Sequence, residues 1–475
     1  MNNWELTVGL EVHIQLSTKT KMFCQCISKY GEEPNSLTCP ICLAMPGSLP
    51  IINQEAIDMA VKLSHALNFD VNNNTSFSRK NYYYPDLPKG YQITQFNDPI
   101  CKNGKLEIED KDKKYTIGIT RAHLEEDSGK LIHHSDNCSF VDLNRAGSPL
   151  IEIVSEPEIH SSEHAKLYLE KLKQIIKYID ISDCDMEKGN LRVDINVSVK
   201  KEGDLKLGTR REVKNLNSFK SVQKAIEYEY EKQIELIESG HKIEQSTLTW
   251  DEKNNITKVI RKKEDAHDYR YFPDPDLLPL EISDDFIEQI KNEIPELPDE
   301  KKKRFIEKFK LSPYEATILV SDIQTSKYFE EVINKSDIKL ATNWITGELF
   351  ALLNDKNLEI TESPISAKNL SKLINLIKDG TISGKIAKSV FEMMIDGDKD
   401  PELIVKEQNL KQESDPKELE KLIDKIINEN EDKVKEYKNG KEKLFGFFVG
   451  QVMKISGGKV NPKLTNEILK DKLSK

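Results

Sequence analysis

Part-way along the chain the repeat of its apolar residues changes, and this change constrains the fold more than any other feature. At Leu10–Leu16, Tyr115–Glu125 and Leu191–Val199 apolar and polar residues alternate, as in strands with one buried face. Two segments before about residue 290 carry helical spacing instead. One follows Ser161-Ser162 and bears Leu167, Leu169, Leu172, Ile175, Ile176 and Ile179; the other follows Asn217-Ser218 and bears Val222, Ile226, Tyr230 and Ile234, each behind a serine suited to capping a helix. Beyond Asp274-Pro275-Asp276-Leu277-Leu278-Pro279 the character shifts, and Pro295 and Pro298 precede Asp299, a cap for a lysine-rich helix. Further on, Leu370, Leu373, Ile374 and Ile377 form an amphipathic stripe. The pattern predicts an α+β fold with an antiparallel sheet, a boundary near residue 292, a helical domain over 293–405 and, across a polar interval around Lys411–Asp415, a small helical domain over 406–475.

A length of 475 residues suits two or three domains and an enzyme-sized interior. The net charge of −11 gives no general attraction to nucleic acid, yet charge is segregated: Lys433–Lys475 holds 11 lysines against 4 acids, enough to meet a phosphate backbone. No apolar run approaches the ~18 residues of a membrane span. The start, Met1-Asn2-Asn3-Trp4-Glu5, lacks the layout of a secretory signal, so a cytoplasmic setting without membrane partners is expected.

In Leu10-Glu11-Val12-His13-Ile14-Gln15-Leu16 the alternation presents Glu11, His13 and Gln15 on one face. For a single strand this is also what a solvated outer face looks like. Other strands add to it. Leu150-Ile151-Glu152-Ile153-Val154 is an apolar run broken by one carboxylate, which needs a metal or a basic neighbour if buried. Arg121-Ala122-His123-Leu124-Glu125-Glu126-Asp127 gathers acids at a strand end, and Leu191–Val197 sets Arg192, Asp194 and Asn196 on one face. An oxygen-rich set with one imidazole suits Mg²⁺ or Mn²⁺, whose usual co-ligand is a nucleotide such as ATP. There is no G-x-x-x-x-G-K-[ST] loop, so any ATP is held without a Walker motif.

Cys24-Gln25-Cys26 and Cys39-Pro40-Ile41-Cys42 offer four thiolates at spacings that close a tetrahedral zinc site; the alternative is four reduced thiols in a loop. With all positions filled by protein, such a zinc is structural. Cys101, Cys138 and Cys184 have no such company. The stretch Arg79-Lys80-Asn81-Tyr82-Tyr83-Tyr84, continuing to Gln92, mixes cations with tyrosines; it suits gripping phosphates and stacking a base, and equally suits packing a loop on the sheet. Asp268-Tyr269-Arg270-Tyr271-Phe272-Pro273 is ambiguous in the same way.

In order along the chain, GLEVHIQL, RKNYYYPDLPKGYQITQ, HLEEDSGK, DLNRAGSPLIEIVSEP, GNLRVDINVSV, EVKNLNSF, DYRYFPDPDLLPL, GKIAKSVFEMM and GFFVGQVMK resemble the B subunit of the heterotrimeric tRNA-dependent amidotransferases, GatB of GatCAB. The resemblance implies a cradle-like catalytic domain over 1–292, a helical domain, and a tail domain of the YqeY type that holds transfer RNA. It implies ATP- and Mg²⁺-dependent phosphorylation of the side-chain carboxylate of misacylated Glu-tRNA(Gln) or Asp-tRNA(Asn), followed by displacement of phosphate by ammonia. By position Glu11, His13, Glu125, Glu126 and Glu152 resemble the family's divalent-ion cluster, the resemblance implies that Asp194 is on the same metal or in positioning, and Lys80, with Arg79 beside it, resembles a basic residue near the nucleotide or the acceptor end. No glycine–serine-rich amidase segment is present, so a partner has to make the ammonia; the resemblance implies that this partner is an A subunit that hydrolyses glutamine, joined by a small C subunit. Zinc is not common to all members, since some lack the cysteines. Two rivals stand beside this expectation: a non-catalytic tRNA-binding scaffold, and a metal-dependent kinase or ligase acting alone on a small acid.

Overall fold

Alternation is realised in full in β1 (Trp4–Gln15), where Val8, Leu10, Val12 and Ile14 are buried while Glu11, His13 and Gln15 face the other way, partly open. The computed structural model describes residues 3–111, 113–133, 138–262, 268–411, 416–438, 440–456, 460 and 462–474. Most of the polar interval at Lys411–Asp415, and Lys459 and Lys475 of the basic tail, lie outside these residues.

Along the chain β1 is followed by α1 (Gln54–Ala66), β2 (Asp70–Val71), β3 (Asn74–Thr75), β4 (Ser78–Asn81), β5 (Tyr91–Thr94), β6 (Cys101–Asp110), β7 (Lys113–Glu126), β8 (Lys130–His133), β9 (Ser139–Asp142) and β10 (Pro149–Ser155). Then come α2 (Ser162–Tyr178), β11 (Leu191–Lys201), β12 (Arg211–Leu216), α3 (Phe219–Glu238), β13 (Ser246–Asp251), β14 (Ile256–Lys262), β15 (Phe272–Pro273), β16 (Leu280–Glu281) and α4 (Asp284–Glu293). The main sheet runs β14-β13-β12-β11-β1-β10-β7-β5-β4-β15, with β6 on β7 and β2 on β6. Its pairs are antiparallel except β12 with β13, so the sheet is mixed rather than wholly antiparallel. The reason is local: α3 carries the chain from β12 to β13, the crossover that parallel neighbours need.

Both helices expected from spacing are present, and Ser161 and Ser218 cap them by accepting from the His164 and Ser221 amides. The structure adds α1, capped by Asn53. These three helices cover the apolar face of the sheet: Ala60 and Val61 of α1, Leu169, Leu172 and Ile176 of α2, and Ala225 and Ile226 of α3 share one core with Leu10, Val12, Ile14, Ile151, Ile153, Val193 and Ile195. At ~2 kcal/mol for each aliphatic side chain removed from water, this burial fixes the register and so decides which side chains reach the opposite face.

The chain divides into two compact units, residues 1–300 and 301–475. Ile290 of α4 belongs to the first core. Asp299 is not a cap; the lysine-rich helix α5 begins at Pro298 (Pro298–Phe309) and holds Asp299 in its first turn, because proline is pre-organised for that position. In the second unit the buried apolar residues form two separate clusters, one spanning Phe305 to Val405 and one Leu419 to Leu473. The stripe Leu370, Leu373 and Ile374 lies in the first of these, on the helix Ala367–Lys378. Among the described residues no helix is long and apolar enough to cross a membrane.

Candidate active site

Four neighbouring strands, β11, β1, β10 and β7, bring acids from distant parts of the sequence onto one face. Their registers align Arg192, His13, Glu152 and His123 in one cross-strand row, and Gln15, Leu150, Glu125 and Thr94 in the next. In such a sheet directly opposed side chains share a face with Cβ atoms ~5 Å apart. The result is a compact knot: His13 Nε2 lies 3.3 Å from Glu152 Oε2 and 3.7 Å from Glu125 Oε1, while His123 Nε2 lies 3.7 Å from Glu125 Oε2 and 3.6 Å from Glu152 Oε2. Ligand atoms of His13, Glu125 and Glu152 all lie within 4.8 Å of one another, as a bound cation requires. Burial opposes charge on His13, but the Glu152 and Glu125 carboxylates outweigh it and raise its pKa to about 8. Burial likewise opposes ionisation of Glu152, and His123, His13 and Lys80 outweigh it, holding its carboxyl far below the usual range.

A second acid group lies beside the first, two residues back along β1 and across β11 and β12. Glu11 opposes Asp194 across β1 and β11, and Asn196, which donates to Glu11 Oε1 at 2.8 Å, opposes Glu212 of β12. Glu11, Asp194 and Glu212 also fall within 4.8 Å of one another. Here a lysine holds the acids: Lys214 Nζ is 2.5 Å from Asp194 Oδ2 and 2.7 Å from Glu212 Oε1. Glu11 lacks that partner, and burial together with Glu152 and Glu212 raises its pKa. Beside this group a cleft is lined by Arg210, Gln245, Ser246, Thr247 and Arg261.

The expected residues therefore separate. His13, Glu125 and Glu152 come together; Glu11 and Asp194 join Glu212 instead. Glu126 points elsewhere, held by Lys89 Nζ at 2.5 Å and by the Ile93 amide at 2.9 Å. Lys80 is close enough that Glu125 and Glu152 raise its pKa against the opposing effect of burial, and its Nζ sits 5.1 Å from the Tyr269 ring centroid. Around it Tyr82, Tyr84, Tyr269, Tyr271 and Phe96 form an edge-on and stacked aromatic cluster. Arg79 is spent on Asp274 and Asp276, at 2.9 and 2.8 Å, and so ties β4 to the chain after β15. Sequence reasoning gives no site role to His123, Glu212, Lys214 or Lys89. The clean alternation of Glu212, Val213 and Lys214 is a signal for two of them, whereas only the fold joins Lys89 to Glu126.

All four clustered cysteines meet. Cys24, Cys26, Cys39 and Cys42 have Sγ atoms within 4.8 Å of one another, with Cys26 to Cys42 at 4.0 Å and Cys39 to Cys42 at 3.9 Å. Tetrahedral zinc with Zn–S bonds of ~2.3 Å needs sulfurs ~3.8 Å apart, so the set fits the ion. Hydrogen bonding from Cys24 and from the Cys39 amide, together with the nearby Lys21 charge, lowers Cys42 to about 4 against the effect of burial. Of the other three, Cys101 and Cys184 are buried and Cys138 is exposed, and all seven are free.

One sheet face thus carries two acid groups whose ligand atoms lie within 4.8 Å of one another, the other face is covered by three helices, and helical domains follow in the chain. Residues 6–288 match the GatB/GatE catalytic domain and residues 327–473 the GatB domain. The chain therefore belongs to the GatB/GatE family. It is 57% identical over 477 residues to a Pelagibacter ubique protein named as the B subunit of an aspartyl/glutamyl-tRNA(Asn/Gln) amidotransferase, covering 99% of this chain and 97% of that one. Proteins of the same name from Carboxydothermus hydrogenoformans and Persephonella marina are 52% and 50% identical, with 99–100% of each chain covered.

Proposed function

We propose that this chain is the B subunit of a cytoplasmic, glutamine-dependent amidotransferase that converts glutamate or aspartate misacylated on transfer RNA into its amide. The observation that carries this is the cross-strand row of His13, Glu152 and His123 with Glu125 beside it, an acid-rich group close to Lys80 of an aromatic and basic stretch. The reaction runs in two balanced steps. The γ-phosphoryl group of ATP passes to a side-chain carboxylate oxygen, releasing ADP. Ammonia then adds to the acyl carbon, the carbon–oxygen bond to phosphate breaks, and inorganic phosphate and a proton leave.

A bound Mg²⁺ or Mn²⁺ supplies neutralisation of the charge on the transferring phosphoryl group. The chain's own residues do the rest. His13, Glu125 and Glu152 hold one cation position; Glu11, Asp194 and Glu212 hold a second, with the nucleotide phosphates near Arg210 and Arg261 of the adjoining cleft. Lys80, facing the first group, orients an anionic oxygen of the substrate, and the tyrosines around it offer flat faces for the terminal base of a transfer RNA. In this reading residues 1–292 carry catalysis, 293–405 form a helical connector, and 406–475 grip the transfer-RNA body through their lysines. An A subunit supplies ammonia, a C subunit completes the complex, and the four cysteines hold a structural zinc.

The decisive assay is Mg²⁺-dependent ADP release on Glu-tRNA by the assembled complex, comparing wild type with Glu152→Ala and Glu126→Ala. Loss of turnover in Glu152→Ala supports the proposal. Unchanged turnover in both variants would favour the non-catalytic scaffold.

A further inference from the structure

Lys21 is a fully buried lysine that the phosphate chemistry leaves unused. An ammonium has three donors and no acceptor. Those of Lys21 point to Leu37 O at 2.8 Å, Leu143 O at 3.3 Å and Cys42 Sγ at 3.6 Å. Two neutral carbonyls do not balance a buried positive charge, which needs an anion beside it. The cysteine cluster is the anion on offer: four thiolates around a divalent ion carry a net charge of −2, and one ammonium halves it.

The same lysine bridges two segments far apart in sequence. Leu37 belongs to the cysteine loop and Leu143 to the turn before β10. Further bonds lace the two together: the Leu37 amide to Asn144 Oδ1 at 2.8 Å, Asn144 Nδ2 to Glu33 O at 2.7 Å, and the Leu143 amide to Asn35 Oδ1 at 2.8 Å. The turn ends at Gly147, with φ +85°, where a Cβ would meet Lys21 Cδ at 3.6 Å, Cys42 Cβ at 3.7 Å and Glu126 Oε2 at 3.8 Å. Its amide donates to Asp127 O at 2.9 Å. Arg145 of the turn pairs with Asp127, which also holds Arg192, the neighbour of His13 in the cross-strand row.

We infer that Lys21 is the outer-sphere cation of a tetrathiolate metal site and the strut by which the loaded cysteine loop fixes the Leu143–Gly147 turn under Glu126 and Asp127. This makes it a positioning residue. It rests on metal occupancy of the cysteines and not on the amidotransferase reading, so the two stand or fall separately.

The test uses the full-length chain and zinc itself. Competition with a chromophoric chelator should show zinc held 10–100-fold more weakly in Lys21→Met than in wild type, the usual cost of losing a partner outside the ligand shell, with affinity largely restored in Lys21→Arg. Equal affinity in wild type and Lys21→Met would overturn the role of Lys21. A wild-type chain that binds no zinc would overturn the metal site beneath it. A measurement needing no variant covers the case in which Lys21→Met does not fold: stripping zinc from wild type should speed amide exchange at Leu143–Gly147 while leaving β13 and β14 unchanged. Unaltered exchange in that turn would overturn the strut.

Discussion

The two acid groups meet on β1 and lie on the same face of the sheet, yet they are neutralised by different means. In the first, Glu125 and Glu152 are bracketed by the imidazoles of His13 and His123; in the second, Asp194 and Glu212 are clamped by the ammonium of Lys214. An imidazole that gives up its proton becomes a metal ligand, whereas an ammonium competes with a metal for the same oxygens. The first group thus gathers the ligand atoms of His13, Glu125 and Glu152 within 4.8 Å of one another between two imidazoles. The second keeps Asp194 and Glu212 on Lys214, so a cation drawn to the same oxygens meets a competing ammonium.

The largest expected effect follows from the first group. Glu152→Gln keeps the shape and removes the charge, so ADP release should fall roughly a thousandfold, the several kcal/mol that a well-placed cation supplies. Asp194→Asn should cost less, because Lys214 retains Glu212. Equal losses in single-turnover assays would erase the distinction between the groups.

Acidity separates them next. His13 titrates at about 8 in the folded chain against an ordinary 6.5. A raised folded pKa contributes stability that is complete below 6.5 and lost as pH rises through 8, at most about 2 kcal/mol at ~1.4 kcal/mol per unit. Glu152 and Glu125, lowered in the fold, act the other way and lose their contribution only in acid. Chemical denaturation of the cation-free chain between pH 6 and 9 checks this: wild type should weaken across the window and His13→Gln should be flatter.

Lys214→Met asks whether the clamp is a competitor. With the ammonium gone, Mn²⁺ should bind about tenfold more tightly at the second group in the absence of nucleotide. Electron paramagnetic resonance titration measures it, and weaker binding would mean that Lys214 holds the acids in place rather than out of reach.

How much of this could be read from the sequence follows from the same contrast. The strand face of Glu11 and His13, the isolated charge of Glu152 and the Arg192–Asp194–Asn196 alternation are all visible there, because a period of two is local. The division into two groups is not. It depends on register, with His13 opposite Glu152 and Glu11 opposite Asp194, and on Glu126 turning toward Lys89, thirty-seven residues earlier. Adjacent residues on a strand face opposite ways, so Glu125 and Glu126 cannot both join one cluster on a regular strand. Helix α1 is legible too, a signal that sequence reasoning missed: Ile57, Ala60, Val61 and Leu63 lie at helical spacing behind Asn53, a capping residue, and pack on the sheet. The parallel β12–β13 pair is hidden in the crossover through α3.

The smallest prediction is a control on the rest. Ser161 accepts from the His164 amide at the start of α2, on the face of the sheet opposite both acid groups. Ser161→Ala removes that cap and should cost ~1 kcal/mol of stability in denaturation experiments. Mn²⁺ affinity at either group should not change, because the registers that place Glu152 beside His13 and Glu11 beside Asp194 are set by the whole apolar face and not by one helix end. A shift in cation affinity with so mild a loss would mean that the acid groups follow global stability, and the contrast between imidazole and ammonium neutralisation would then no longer account for their difference.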